Sequence, residues 1–212
     1  MSQDPTPEAL HLAAPGDAEE TARAELYGLL ARLWLAPPDE ALLSQFRVAV
    51  TEAPEPGGHL EAPWQELVAA MRATTPAAAA EEFDALFHSV GKPEVFVFGS
   101  YYLSGTLNDR SLAQLRSDLA ALGLGRDEAR METEDHVAYV FEVMRYLIAG
   151  DDAGTCNLEQ QRRFFRGHVQ TWVHLLCDAV QAHPRAQLWA AVGAFTRAFV
   201  EIETQGFDLL EA

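Results

Sequence analysis

The chain has 212 residues, of which 49% are hydrophobic and 22% are charged, a composition typical of a globular protein with its own apolar core. Fifteen Lys and Arg face 32 Asp and Glu, which gives a formal net charge of -17 at pH 7. Phosphate groups carry the same sign, so this charge argues against binding to nucleic acid or anionic lipid and favours a cationic partner. Solubility alone is the alternative explanation of the charge.

The cysteines and the apolar runs exclude further classes of protein. Cys156 and Cys177 are the only two cysteines and form no CxxC pair, so the sequence carries no zinc or redox motif. Residues 1–20 have neither a basic region nor a long apolar region, so they do not resemble a signal peptide. No apolar run approaches the roughly 20 residues that span a bilayer. We therefore expect a cytoplasmic protein without stable membrane insertion.

The N-terminal part of the chain, residues 17–122, is predicted to be helical. Residues 1–16 are rich in proline, alanine and acids, and they precede it as a predicted disordered tail. Asp17 is a good N-cap for the first helix, and the pair Pro37-Pro38 ends that helix because a residue before proline avoids the helical conformation.

Further along the chain, one helix start and one break are recognisable. Thr75 is a good N-cap, and Pro76 then takes the first helical position, where its missing N–H costs nothing. Residues 89–104 contain glycines and aromatics and lack amphipathic periodicity, so we predict an irregular segment there. Within it, Val95–Phe98 is the one stretch that alternates like a strand.

Residues 123–132 are predicted to be a polar linker and hinge, which the helix-stop residue Gly123 opens. Residues 133–212 form the predicted C-terminal helical part, including one long helix from about Leu158 to Ala182. Taking both parts together, we predict an all-α chain, a single helical-bundle domain of about eight helices.

The segment Glu132–His136, with the sequence ETEDH, connects this linker to an apolar helical stripe. The stripe has spacings of three and four and consists of Val137, Val140, Phe141, Met144, Leu147 and Ile148. Thr133 is predicted to be the N-cap, which places Glu134 and Asp135 in the first turn, where the helix dipole favours carboxylates. Capping alone explains Glu134. Asp135 and His136 then form an exposed polar pair that binds a partner or ties the linker down.

Catalytic and metal-binding interpretations of this pair fit poorly. A second metal ligand would lie at position 140, which is valine, and no HExxH motif or P-loop occurs. Neighbours in a first helical turn point in different directions, so Asp135 and His136 do not make a catalytic dyad. A metal- or nucleotide-dependent hydrolase that uses these two residues stays as an alternative. His168 shares an apolar stripe with Trp172 and is predicted to be a core residue.

Three segments follow one another in a specific order: EFDALFHSVGKPEVFVFGSYYLSG from residue 82, ETEDHVAYVFEVMRYL from residue 132 and FFRGHVQTW from residue 164. The ordered set, within residues 20–205, resembles the TorD/DmsD/NarJ family of redox-enzyme maturation chaperones. That family's signature has an acid, a proline and then Asp-His at a helix start. The matching residues are Glu132, Glu134, Asp135 and His136, with Thr133 in place of the proline; Phe83, Leu86 and Phe87; Gly99, Ser100 and Tyr102; and Phe164, Phe165, His168 and Trp172.

The resemblance implies an all-helical chaperone without catalytic activity. Members of that family bind the apo-precursor of a molybdopterin-dependent oxidoreductase, often by its twin-arginine signal peptide, assist cofactor insertion and delay export. The implied partner is therefore the catalytic-subunit precursor of a molybdoenzyme. No cofactor of the chaperone's own is implied, and a weak interaction with guanine nucleotide or molybdopterin is left open. We expect a monomer, with a domain-swapped dimer through residues 123–132 as the alternative.

Six residues are predicted to bind the peptide: Asp135, His136, Ser100, Tyr102, Phe98 and Glu134. The carboxylates accept guanidinium groups in a fork, and the aromatic residues of the 96–102 loop take the apolar part of the peptide. Because Asp135 and His136 are predicted to be exposed, alanine at either position should weaken binding and leave the melting temperature nearly unchanged. An acidic helical scaffold for a basic partner is the other alternative, and its binding would not depend on an arginine pair.

Overall fold

The computed structural model describes residues 17–48, 58–88, 91–126 and 131–209. They form ten helices: α1 Asp17–Leu35, α2 Glu40–Val48, α3 Glu61–Ala73, α4 Pro76–Phe87, α5 Gly99–Ser104, α6 Arg110–Ala121, α7 Val137–Ala149, α8 Leu158–His168, α9 Val173–Gln181 and α10 Leu188–Leu209. In these ranges the β-structure consists of one isolated antiparallel bridge between Phe98 and His136. The predicted all-α fold is confirmed.

The structure has two helices more than the predicted eight, and both differences arise at one contact. The short helix α5 lies in the segment that was predicted to be irregular, and the predicted 158–182 helix breaks into α8 and α9. At this break the Trp172 indole N–H donates to the His168 carbonyl oxygen at 2.7 Å. The Trp172 ring packs on α5 so closely that a Cβ at Gly99 would lie 2.9 Å from it. Glycine at position 99 is therefore required for this packing.

The local signals for helix ends were mostly correct. The Thr75 hydroxyl accepts a hydrogen bond from the Ala78 N–H at 3.2 Å, with Pro76 at the first helical position. Gly123 follows α6 with a φ of 73°, the left-handed conformation that ends helices. Residues 1–16 and 127–130 lie outside the described residues, so the disordered tail and the hinge stay predictions.

The core joins helices from both ends of the chain. Helix α1 packs along α7, and α10 packs on α9 and α3. Tyr27 of α1 is fully buried, and its ring makes edge contacts with Phe141 of α7 at 5.7 Å and with Phe199 of α10 at 4.8 Å. The two predicted helical parts therefore share one hydrophobic core within a single compact domain.

A buried ion pair fixes α1 against the last helix. The Arg23 guanidinium donates to both carboxylate oxygens of Glu203, at 2.7 and 2.8 Å, and the Tyr27 hydroxyl donates to the same carboxylate at 3.0 Å. Arg23 also donates to the Gln161 side-chain oxygen at 3.3 Å. Since Glu203 is only 5% exposed, these partners compensate for the loss of water around its charge.

None of the helices in the described ranges combines the length and the apolar character that crossing a membrane requires.

Candidate functional site

The ETEDH segment is held in place by a distant part of the chain. The Val137 N–H donates to the Val97 carbonyl oxygen at 2.9 Å, and the Gly99 N–H donates to the Asp135 carbonyl oxygen at 2.9 Å. These two bonds flank the bridge between Phe98 and His136. We call this pairing of residues 97–100 with residues 135–137 the joint. It keeps His136 in extended backbone, so α7 begins only at Val137.

Asp135 is buried in the joint, which corrects the prediction that it is exposed in the first turn of α7. Its side chain accepts from the Ser100 backbone N–H at 2.8 Å and from the Thr133 hydroxyl at 2.6 Å. The residue is 4% exposed. Asp135 thus binds the start of α5, 35 residues earlier in the chain. These contacts reach α5 and Thr133 and not residues 123–132, so both roles that the sequence left open, binding a partner and tying the linker down, stay predictions.

His136, rather than Thr133, is the N-cap of α7, and it too is buried. Its Nδ1 accepts a hydrogen bond from the Ala138 N–H at 3.1 Å, which requires an unprotonated Nδ1 and puts the ring proton on Nε2. Burial lowers the pKa of His136 to about 4, against partly compensating attraction from Glu132 and Asp135. The ring is therefore neutral at pH 7.

The other predicted site residues surround the joint. Ser100 is 1% exposed, and its Oγ has no hydrogen-bond partner among the described residues. The Tyr102 hydroxyl donates to the Phe96 carbonyl oxygen at 2.8 Å, its ring stacks on Trp172, and burial raises its pKa. Phe98 is half-buried, with its ring edge-on to His136 at 5.2 Å. Their role in peptide binding stays a prediction, since these contacts are internal to the fold.

A cleft of about 630 Å³ lies directly beside the joint, between α1, α7 and the connection that follows α6. Its apolar lining comes from Ala31, Leu35, Leu119, Leu124, Ala138 and Val143, and its rim carries Glu132, Glu134 and Glu142 with Tyr139 and Tyr146. We call it the α1–α7 cleft. Of the six predicted site residues, Glu134 is the one that lines it within the described part of the chain.

Glutamates outnumber arginines by three to two in the lining of the α1–α7 cleft. Two arginines, Arg32 and Arg126, also line it, but Arg32 is paired with Asp39 at 2.9 Å. The Glu132 carboxylate accepts from the Tyr139 hydroxyl at 3.0 Å, and Glu142 accepts from Arg145 at 2.9 Å. These acids are exposed or half-exposed on one side of the cleft.

Glu134 has the strongest interaction on the rim. Arg116 of α6 donates to it from Nε, at 3.0 Å to each carboxylate oxygen, and from a terminal nitrogen at 2.8 Å. Partial burial opposes ionisation of Glu134, but the Arg116 guanidinium, a backbone hydrogen bond and the charge of Arg126 together outweigh it and lower the pKa of this carboxyl. Glu134 is therefore a carboxylate whose geometry is already suited to a guanidinium group.

Sequence reasoning missed most of the cleft. The predicted site includes Glu134 of the cleft lining but not Glu132, Tyr139, Glu142 or Val143. Positions 139, 142, 143 and 146 form a second stripe along α7, at helical spacing, opposite the buried stripe. This mixed aromatic and acidic stripe was the signal that could have found the cleft.

The hydrolase alternative finds no support in these contacts. Asp135 and His136 use their side chains to hold the backbone, and no cluster of three metal-ligating side chains occurs within the described ranges. His168 is half-buried and pairs with Asp118 at 2.9 Å, beside a small depression between α6 and α8. It is thus a satisfied structural histidine, close to the core role predicted for it.

Comparison with known proteins gives one family. A search among curated proteins returned no match. The sequence model of the family described as nitrate reductase delta subunit matches residues 54–178, which is more than half of the chain and includes the joint and α7. The chain therefore belongs to the nitrate reductase delta subunit family, whose members are chaperones of molybdoenzyme maturation and not enzymes.

Proposed function

We propose that this chaperone acts in the cytoplasm and binds the apo-precursor of a molybdoenzyme catalytic subunit in the α1–α7 cleft. The bound element is an arginine-containing apolar segment, with the twin-arginine signal peptide as the best candidate. Binding holds the precursor back from export while its cofactor is inserted. The observation that carries the proposal is an apolar cleft of about 630 Å³ with three glutamates on its rim.

The size and lining of the cleft suit a short apolar segment. Its volume falls within the range of roughly 300–1,000 Å³ that is typical of ligand sites. Burying one leucine-sized side chain against the Leu35, Leu124 and Val143 surfaces would contribute about 1.5–3 kcal/mol. If the bound segment buries two or three such side chains at helical spacing, it binds as an amphipathic helix in a groove.

The acidic rim provides the specificity for arginine. A carboxylate accepts two parallel hydrogen bonds from a guanidinium group, whereas a lysine ammonium offers only a point charge. The net charge of -17 accelerates the approach of a basic segment but does not distinguish arginine from lysine. Discrimination between the two side chains must therefore come from the geometry at Glu132, Glu134 and Glu142.

In this proposal the residues of the joint position Glu134 and do not contact the precursor. Asp135 and His136 fix the backbone directly after Glu134, and Asp135 ties it to α5 through the Ser100 N–H. Phe98 and Tyr102 pack around this connection. In this proposal Glu134 contacts the precursor, and the other five predicted residues hold Glu134 and the adjacent rim in place.

Titration calorimetry with two peptides tests the proposal. One peptide carries an arginine pair followed by an apolar segment, and the other has lysine at both positions. We expect the arginine peptide to bind at least tenfold more tightly at physiological ionic strength. Equal affinity for both peptides would instead support an acidic scaffold that attracts any basic partner, the alternative that the net charge favours.

A further inference from the structure

The contact between Arg116 and Glu134 is the same kind of contact that a bound arginine would make. The Arg116 guanidinium donates three hydrogen bonds of 2.8–3.0 Å to the Glu134 carboxylate. Glu134 belongs to the lining of the α1–α7 cleft, and its side chain is only 12% exposed. The best-formed guanidinium site on the rim is thus already occupied by a side chain of the same protein.

Arg116 is the more exposed partner of this pair. Its side chain is 47% exposed on α6, against 12% for Glu134, so water can solvate the guanidinium when it leaves, and the main cost of its departure is an unpaired Glu134 carboxylate until another guanidinium replaces it. Glu134, by contrast, is fixed from the other side, because the next residue, Asp135, is anchored in the joint. The carboxylate can therefore stay in place while the guanidinium that it binds is exchanged.

We propose that Arg116 is a built-in competitor that occupies the arginine site of the cleft and is displaced when the precursor binds. This inference rests on the proposed function of the cleft. An incoming arginine replaces the hydrogen bonds that Arg116 gives up, so the exchange conserves the contacts of Glu134. A lysine ammonium cannot form the two parallel hydrogen bonds that a guanidinium group forms, so it leaves Arg116 bound to Glu134.

The competition has a measurable consequence for affinity. The apparent dissociation constant of an arginine ligand equals its intrinsic value divided by the fraction of protein in which Glu134 is free of Arg116. Removal of the competitor should therefore tighten binding, although Arg116 lies beside the site and would ordinarily be expected to support it. A purely structural Arg116 would have the opposite effect or none.

The test uses Arg116→Gln and the matched control Arg110→Gln, which removes the same charge from an exposed position at the start of the same helix. The probes are the arginine-pair peptide and a version with citrulline at both positions, measured by calorimetry on the full chain. We expect Arg116→Gln to bind the arginine peptide about twofold to sixfold more tightly than wild type. Arg110→Gln should match wild type, and neither variant should gain affinity for the citrulline peptide.

A double variant tests whether the gain in affinity depends on the Glu134 carboxylate. In the double variant Arg116→Gln/Glu134→Gln the gain for the arginine peptide should disappear. If wild type binds the arginine peptide but Arg116→Gln binds it equally or more weakly, with an unchanged melting temperature, the competitor role is wrong and the proposed function stands. If neither protein binds the arginine peptide, both the competitor role and the proposed function are wrong.

Discussion

At the scale of single residues, His136 shows how a polar side chain in a motif can serve the fold. The ring accepts the Ala138 N–H through Nδ1 and is 5% exposed, so its protonation would break the cap and place a charge in an apolar environment. The pKa of about 4 expresses this preference for the neutral ring. The sequence identified the residue, but its predicted exposure was wrong because the bridge to Phe98 covers it.

The lowered pKa of His136 predicts a pH dependence of stability. In the unfolded chain this histidine has the ordinary pKa of 6.5. Between pH 6.5 and about 4, His136 is therefore protonated in the unfolded state and unprotonated in the folded state. The stabilisation of the folded state by the neutral His136 ring is complete above pH 6.5 and is lost as the pH falls towards 4. The total loss in the free energy of unfolding is roughly 3 kcal/mol. Urea unfolding at a series of pH values from 7 to 4.5 measures this loss in the free energy of unfolding.

The control for this prediction is His136→Asn, because asparagine keeps a capping oxygen but does not titrate. The free energy of unfolding should fall less steeply with acid in this variant than in wild type. Parallel curves for the two proteins would show that His136 is protonated normally in the folded state.

At the scale of elements, the sequence predicted well what depends on neighbours in the chain. Helical periodicity located eight helices, and Thr75 and Gly123 marked their boundaries as predicted. The joint could not be predicted in this way, because residues 97–100 and 135–137 pair across 35 to 40 positions and strand-like alternation occurs only on one side. The burial of Asp135 and the start of α7 both follow from that pairing.

Asp135→Ala tests the joint as a structural element. The variant removes the acceptor for the buried Ser100 N–H and for the Thr133 hydroxyl, so the free energy of unfolding should fall by about 1–3 kcal/mol. Glu142→Ala, which removes an exposed carboxylate from α7, should change it by less than about 0.5 kcal/mol. Urea titration compares the two. If Asp135→Ala were as stable as wild type, the two hydrogen bonds of the Asp135 carboxylate would contribute nothing to stability and the joint would not depend on this side chain.

At the scale of the whole molecule, the composition predicts the charge of a partner but not the place where a partner binds. A net charge of -17 favours a cationic ligand wherever it approaches. The cleft exists because α1 packs along α7 while the connection after α6 lies beside them, and this arrangement brings together residues from 31 to 146. Of the predicted site, Glu134 is the part that reaches this surface, since its neighbours in the motif turn inward to the joint.

The central claim is that the precursor segment binds in the α1–α7 cleft, and the affinity of Val143→Asp for the arginine-pair peptide tests it most directly. Val143 is half-buried in the cleft lining, and Gln205→Asp adds the same charge at an exposed site on α10. Calorimetry should show at least tenfold weaker binding for Val143→Asp, about 1.4 kcal/mol, because its carboxylate must lose water against the apolar segment. Gln205→Asp should bind as wild type does. Equal affinity of both variants, at unchanged melting temperatures, would contradict the account and place the binding surface elsewhere.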